Sequence, residues 1–236
     1  MPTLTYQQRR GQIALYFDQT AVEAWTRLTS DSPVGRIRAT VRAGRDRMRQ
    51  TLLDWLPADL RGERLLDAGC GTGALAIEAA KRGGHVLAVD LSPALIELAR
   101  ERAPRTLAGG SVDFQVGDML DPGLGRFDRI LAMDSLIHYA PTDAVAAVGG
   151  LVARADRAML FTFAPKTAGL AVMHAAGRLF PRRDRAPAIE PIGERRLRQM
   201  LGEQLSLTRW SVCRTERIVN GFYTSQAVEL VQPCDA

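Results

Sequence analysis

Leu65-Leu66-Asp67-Ala68-Gly69-Cys70-Gly71-Thr72-Gly73 is the stretch that decides the fold of this 236-residue chain. An apolar strand ends in a carboxylate and runs straight into a glycine loop, after which Ala74 to Arg82 read as a helix. Glycines at 69, 71 and 73 permit positive φ and leave room for a ligand against the main chain. Gly69, Gly71 and Ala74 also satisfy the dinucleotide pattern G-x-G-x-x-G/A, so the loop alone does not choose among nucleotide ligands. Asp67 does. A carboxylate at the mouth of the loop repels a pyrophosphate and suits a ligand carrying an ammonium and a sulfonium.

S-adenosylmethionine is that ligand, and the rest of its site follows at sensible spacing. His85 to Asp90 reads as a second strand, and an Asp about 20 residues beyond the glycine loop is where a ribose diol is held. Ser92-Pro93 starts a helix, with Ser as cap and Pro in the first turn. Val112 to Val116 reads as a third strand, followed by Gly117-Asp118-Met119, where Asp118 is placed to accept from the adenine amino group. Taken singly, each aspartate reads as a turn or cap residue. Together, each at the carboxyl end of a parallel strand, they mark a ligand site at that edge of the sheet. The residues expected around the cofactor are Asp67, Gly69, Cys70, Gly71, Gly73, Asp90, Leu91, Asp118, Met119 and Asp134.

From Glu63 to Leu160 this pattern resembles the class I S-adenosylmethionine-dependent methyltransferases. The resemblance implies an α/β, Rossmann-like, seven-stranded and mostly parallel sheet with helices on both faces and an antiparallel C-terminal edge hairpin. Phe127 to Met133 is the fourth strand, Thr142 to Ala153 a helix, and Ala158 to Phe163 the fifth strand. A helix near Arg195 to Leu201 and strands at Ser206 to Cys213 and Arg217 to Val231 follow. Residues 1–62 are expected to form an N-terminal helical lid and a basic helix, 63–236 the methyltransferase domain, and about 164–191 an insert that sets acceptor specificity.

Composition bounds the remaining choices. With 46% hydrophobic and 24% charged residues the chain has the make-up of a soluble globular protein. No run of 18 apolar residues occurs and the N-terminus lacks a signal-peptide core, so a cytoplasmic protein is expected. Cys70, Cys213 and Cys234 have no metal-ligand spacing, and no resident metal is expected. The net charge is +5, and because Lys81 and Lys166 are the only lysines it is carried by arginine, the side chain for forked recognition of carboxylate or phosphate. One arginine cluster is a stripe of Arg38, Arg42, Arg45 and Arg49 on a predicted helix, Val34 to Leu56, beside an apolar face of Ile37, Val41, Met48 and Leu52. Such a helix packs on a sheet with a solvated basic side, or meets an anionic ligand or membrane surface. The other cluster is Arg178, Arg182, Arg183 and Arg185 in the insert.

After the fourth strand comes Asp134-Ser135-Leu136-Ile137-His138-Tyr139, the turn that in this fold faces the transferable methyl group. A lone histidine is commonly structural, but His138 sits at that face and is a candidate for catalysis or positioning. A helix from Gln7 to Leu28 carries Tyr16, Phe17 and Trp25 as a lid over an apolar ligand, broken from the basic helix at Thr29 to Pro33. The insert adds Lys166, His174 and Arg182. A flat apolar acceptor with carboxylate arms suits that mixture.

The lid from Tyr16 to Trp25, the helix from Arg36 to Arg49, the Ser135-to-Tyr139 turn and the Phe163-to-Pro187 insert together resemble the magnesium-protoporphyrin IX O-methyltransferases of the bacteriochlorophyll branch. That resemblance covers essentially the whole chain. It implies methyl transfer from S-adenosylmethionine to a propionate of Mg-protoporphyrin IX, giving the monomethyl ester and S-adenosylhomocysteine, with magnesium present only in the substrate. It also implies an encounter with the large porphyrin-binding subunit of magnesium chelatase and peripheral contact with the photosynthetic membrane. On this reading His138 and Tyr16 orient the acceptor, and Phe17, Trp25, Arg36, Arg38, Tyr139, Lys166, His174 and Arg182 contact the porphyrin. A methyltransferase for another small acceptor shares every cofactor residue and differs only in lid and insert. A nucleic-acid methyltransferase is disfavoured because the turn is not of the Asn/Asp-Pro-Pro-Tyr/Phe type used on exocyclic amines.

Overall fold

The structure, a computed structural model, describes residues 3–19, 35–107, 109–166, 188–205 and 208–232. The expected helix break at Thr29 to Pro33 and the site residues Trp25, His174 and Arg182 lie outside them. Two helices come first, α1 (Leu4–Gln19) and α2 (Arg36–Trp55). The alternating core follows: β1 (Arg64–Ala68), α3 (Ala74–Lys81), β2 (His85–Asp90), α4 (Pro93–Arg102), β3 (Ser111–Val116), β4 (Phe127–Ala132), α5 (Pro141–Val152) and β5 (Ala155–Phe163). The chain closes with α6 (Glu194–Leu205), β6 (Ser211–Asn220) and β7 (Tyr223–Val231).

The seven strands form one sheet in the order β3-β2-β1-β4-β5-β7-β6, parallel through β5, with β7 and β6 antiparallel. Strand order reverses between β1 and β4, which is where an open α/β sheet leaves a crevice at its carboxyl edge. β1 is central and covered on both faces, so Leu65, Leu66, Asp67 and Ala68 are all buried in a run without polar alternation. Tyr6 and Ile13 of α1 pack on one face with Val145 and Val148 of α5 and Leu197 and Leu201 of α6. Met48 and Leu52 of α2 pack on the other with Leu75 of α3 and Ile96 of α4.

Two local readings are corrected. The hairpin turn falls at Gly221-Phe222, not between Cys213 and Arg217; Arg214, Thr215 and Glu216 belong to β6. Gly221 is the first of the two turn residues and adopts φ +57°, a position that favours glycine. Ile37 does not share the buried face of Met48 and Leu52 but is exposed, one turn before the point where Thr40 meets the β6–β7 turn. At its middle α2 lies directly on β7: a Cβ on Gly44 would come within 2.5 Å of the Tyr223 ring. At the start of α4, Ser92 accepts from the Leu95 N–H at 3.3 Å with Pro93 in the first turn, as the sequence predicts.

Candidate active site

A cavity of about 280 Å³ opens at the carboxyl ends of β1, β2, β3 and β4, walled by the glycine loop, the turn after β4, and faces of α1 and α2. The loop owes its shape to positive φ at Gly69 (+81°), Gly71 (+55°) and Gly73 (+75°). Gly69 is also forced by contact, since a Cβ there would lie 2.3 Å from the Cβ of Ser135.

Asp67 is buried under this loop, and among the described residues its Oδ2 has no hydrogen-bond partner, as is also true of the Ser135 Oγ. Burial, and next the neighbouring charge of Asp90, push the Asp67 carboxyl up to about 7. An uncompensated buried carboxylate is costly and calls for a cation. Asp90 is tied down, its Oδ2 accepting from the Gly71 N–H at 2.8 Å and its Oδ1 from the Ser92 N–H at 3.0 Å. Burial raises its pKa while the N–H donors of Ser92, Gly71 and Leu91 oppose the shift. These groups fit S-adenosylmethionine: the open oxygen of Asp67 suits an ammonium, and the carboxylate of Asp90, fixed at the end of β2, suits a ribose diol. Cys70, Leu91 and Met119 line the same cavity. The Cys70 thiol is pushed up by burial and then by Asp67 and Asp90, which makes it a packing group and a poor nucleophile.

Asp118 lines the cavity already engaged. Its Oδ1 accepts from the Tyr6 hydroxyl at 2.9 Å and the Leu120 N–H at 2.9 Å, and its Oδ2 accepts from Arg10 at 2.6 Å. Tyr6 stacks on Tyr139 with ring centroids 4.6 Å apart. Burial comes first in raising both phenols, with Tyr139 pushed up to about 12 and Tyr6 higher still, so both are hydrogen-bond donors at neutral pH. Sequence reasoning missed Tyr6 and Arg10. Their i, i+4 spacing on α1 was the available signal.

Asp134 requires a correction. It takes φ +53°, and its carboxylate accepts from Arg45 (2.7 Å), Thr162 (3.0 Å), Ser225 (3.1 Å) and Tyr223 (3.1 Å). Both oxygens are filled by donors from α2, β5 and β7, so this side chain holds the cavity wall together and has no lone pair left for the cofactor.

His138 is buried on a single 3₁₀ turn, Leu136–His138, and lines the cavity beside Tyr139. Phe17 meets the His138 ring edge-on at 5.9 Å, and Tyr16 meets Phe17 edge-on at 5.2 Å. Phe17 and Ile13 line the cavity and Tyr16 does not, because neighbours on a helix point about 100° apart. The arginine reading is displaced along α2. Arg42, Arg45 and Arg49 line the cavity with Asp46, whereas Arg36 and Arg38 are exposed and outside it, one to two turns nearer the helix start. Arg49 pairs with Asp46 at 2.8 Å. Lys166 is likewise exposed and off the cavity; its N–H donates to the Ile192 carbonyl at 3.1 Å.

Residues 132–232 match the family model described as magnesium-protoporphyrin IX methyltransferase C-terminus, and residues 65–155 match a general methyltransferase domain. The magnesium-protoporphyrin O-methyltransferase of Rhodobacter capsulatus is 45% identical over 95% of this chain and 97% of its own. Its counterpart from Synechocystis is 33% identical over 92% and 94%. The crystal structure of magnesium protoporphyrin IX methyltransferase from Synechocystis PCC 6803 with bound S-adenosylhomocysteine superposes with a TM-score of 0.83 at 32% identity, covering 95% of this chain and all of that one.

Proposed function

The chain belongs to the magnesium-protoporphyrin O-methyltransferase family, and on that premise we propose that it moves a methyl group from S-adenosylmethionine onto a propionate carboxylate of Mg-protoporphyrin IX. The observation that carries the reading is one cavity lined at once by Asp67 with its unpartnered oxygen, by His138, and by three arginines of α2. The cofactor supplies an electrophilic methyl on a sulfonium. Asp67 would hold its ammonium, Asp90 its ribose, and the Asp118 region its adenine.

The chemistry asked of the protein is modest. A propionate with an ordinary pKa of about 4.3 is already ionised at neutral pH, so no side chain need remove a proton from it. The remaining work is alignment and exclusion of water, and fixing two reactants is worth about 7–11 kcal/mol. His138 is proposed to orient the acceptor by donating to the oxygen that does not attack, and Tyr16 to brace the assembly through Phe17. Tyr139, held by Tyr6, would form the adjoining wall.

Charge disappears along this path as carboxylate and sulfonium become ester and thioether. An arginine gripping the attacking carboxylate would favour the ground state over the transition state and raise the barrier. Arg42 and Arg49 are therefore proposed to hold the unreacted propionate, in place of the porphyrin contacts that the sequence reading gave to Arg36, Arg38 and Arg182. Arg45, committed to Asp134, is proposed to position the wall.

An absorbance titration in the visible range tests the acceptor. Mg-protoporphyrin IX is expected to give a saturable band shift that requires intact Arg42 and Arg49, and the absence of any shift would remove the porphyrin from the reading. We propose in addition that the protein makes peripheral contact with membrane and meets the large subunit of magnesium chelatase. The arginine-rich start of α2 supports the first. Among the described residues no helix is long and apolar enough to cross a membrane.

A further inference from the structure

Ile37, Val219 and Phe222 are among the few large apolar side chains that stand in solvent, 56%, 59% and 50% exposed. They belong to different elements, and those elements meet at the β6–β7 turn. Thr40 of α2 packs on the hairpin turn so closely that a Cβ on Gly221 would lie 2.7 Å from it. The Thr40 hydroxyl also donates to the Ile37 carbonyl at 2.8 Å, so Ile37 lies one turn from that contact. Val219 and Phe222 flank Gly221 along the hairpin, Val219 on the face of β6 opposite the buried Ile218.

Along the two segments that form this tip the charged residues are basic. From Gly35 to Arg45 there are four arginines and no acidic residue, and none occurs from Arg217 to Val228. Arg36 and Arg38 are exposed beside Ile37. The tip also stands on the cavity's edge of the sheet. Tyr223 and Ser225, the first residues of β7 beyond the turn, donate to Asp134 in the cavity wall. The helix that carries Arg36 and Ile37 continues into Arg42, Arg45 and Arg49 of the cavity.

We propose that the β6–β7 turn and the first turn of α2 form a docking surface for an anionic lipid bilayer, with Phe222, Val219 and Ile37 entering the interface and Arg36 and Arg38 meeting lipid headgroups. Apolar side chains set in a basic rim are the composition by which a protein lies on such a surface, and each exposed cation near it adds to the attraction. A protein partner would have to be acidic around an apolar pocket to match the same tip. The bilayer satisfies both halves without a shaped pocket, and an amphiphilic acceptor that partitions into lipid would be released on the cavity's side of the molecule. This inference rests on the peripheral contact proposed above and gives it a location.

Sedimentation with vesicles tests it. The full chain is mixed with vesicles of phosphatidylcholine alone or of phosphatidylcholine with phosphatidylglycerol, beside a Phe222→Ser/Val219→Ser double variant. The wild type is expected to pellet with the anionic vesicles and not with the zwitterionic ones, and added salt is expected to release it. The double variant is expected to bind about tenfold or more weakly, as two apolar insertions are lost, while methylating detergent-solubilised porphyrin at the wild-type rate. Wild type that pellets with neither vesicle overturns the peripheral contact itself. A folded double variant that pellets as well as wild type leaves that contact standing and overturns this surface. Equal binding to both vesicle types overturns the arginine half.

Discussion

The hydroxyl of Tyr6 donates to the carboxylate of Asp118 across 2.9 Å, tying the first helix of the chain to the loop after β3 on the floor of the cofactor cavity. Arg10 closes on the same carboxylate one helical turn later. Because the Tyr6 ring also stacks on Tyr139, the residue after His138, α1 braces both ends of the site at once. Removing only the hydroxyl, in Tyr6→Phe, is expected to keep the stack and cost about 1–2 kcal/mol in denaturant unfolding. A Tyr6→Leu chain loses the stack as well and is expected to be less stable than Tyr6→Phe. Equal stabilities would show that the stack contributes nothing.

The proposed pairing of Asp67 with the cofactor's ammonium predicts a cofactor affinity that depends on pH. The Asp67 carboxyl is pushed up to about 7, first by burial, so protons are expected to compete with that ammonium below that pH. Affinity is expected to fall by up to about tenfold per pH unit on acidification from 7. In Asp67→Asn the dependence should flatten, with binding at pH 8 weaker by about a hundredfold. For folding without cofactor the sign is opposite. The folded pKa lies above the ordinary 3.8, so Asp67's contribution to stability is full below about pH 4 and is lost as pH rises through 7. Calorimetric titration and urea melts across that window read the two effects separately.

Gly69→Ala combines a φ of +81° with a Cβ 2.3 Å from that of Ser135. The loop must shift, and we expect a stability loss of about 1–3 kcal/mol together with weaker cofactor binding. Wild-type binding in a folded Gly69→Ala protein would contradict the contact.

Arg49→Gln is expected to raise KM for the porphyrin by about tenfold with little change in kcat, as befits a contact made equally in ground and transition states. A fall in kcat at constant KM would place Arg49 on the reacting carboxylate.

His138→Gln keeps a donor and should retain more activity than His138→Ala, which is expected to lose about 10²–10³-fold in kcat. If His138 instead acts as a base, both variants lose activity equally and the wild-type rate follows an imidazole titration.

Much of this was legible because it is written in local patterns. The glycine loop, the aspartate ending β2 and the strand alternation each occupy a few consecutive residues, so periodicity and turn chemistry reach them. What escaped depends on contacts between distant segments. Asp134 looked available in sequence, and only the approach of Thr162, Tyr223, Ser225 and Arg45 fills it. The arginine stripe was visible, but which of its members line the cavity follows from where α2 meets β7 at Gly44 and Tyr223. The hairpin was placed too early because the strand read from Arg217 to Val231 runs straight over Gly221, the residue that opens the turn.

Transfer of label from S-adenosylmethionine bearing a radioactive methyl, with Mg-protoporphyrin IX, metal-free protoporphyrin and a phenolic quinone precursor as parallel acceptors, tests the central claim most directly. Base-labile label in a porphyrin monomethyl ester is expected, with Mg-protoporphyrin IX the best acceptor. Cofactor binding without a labelled porphyrin, or label appearing on the phenol alone, would contradict it.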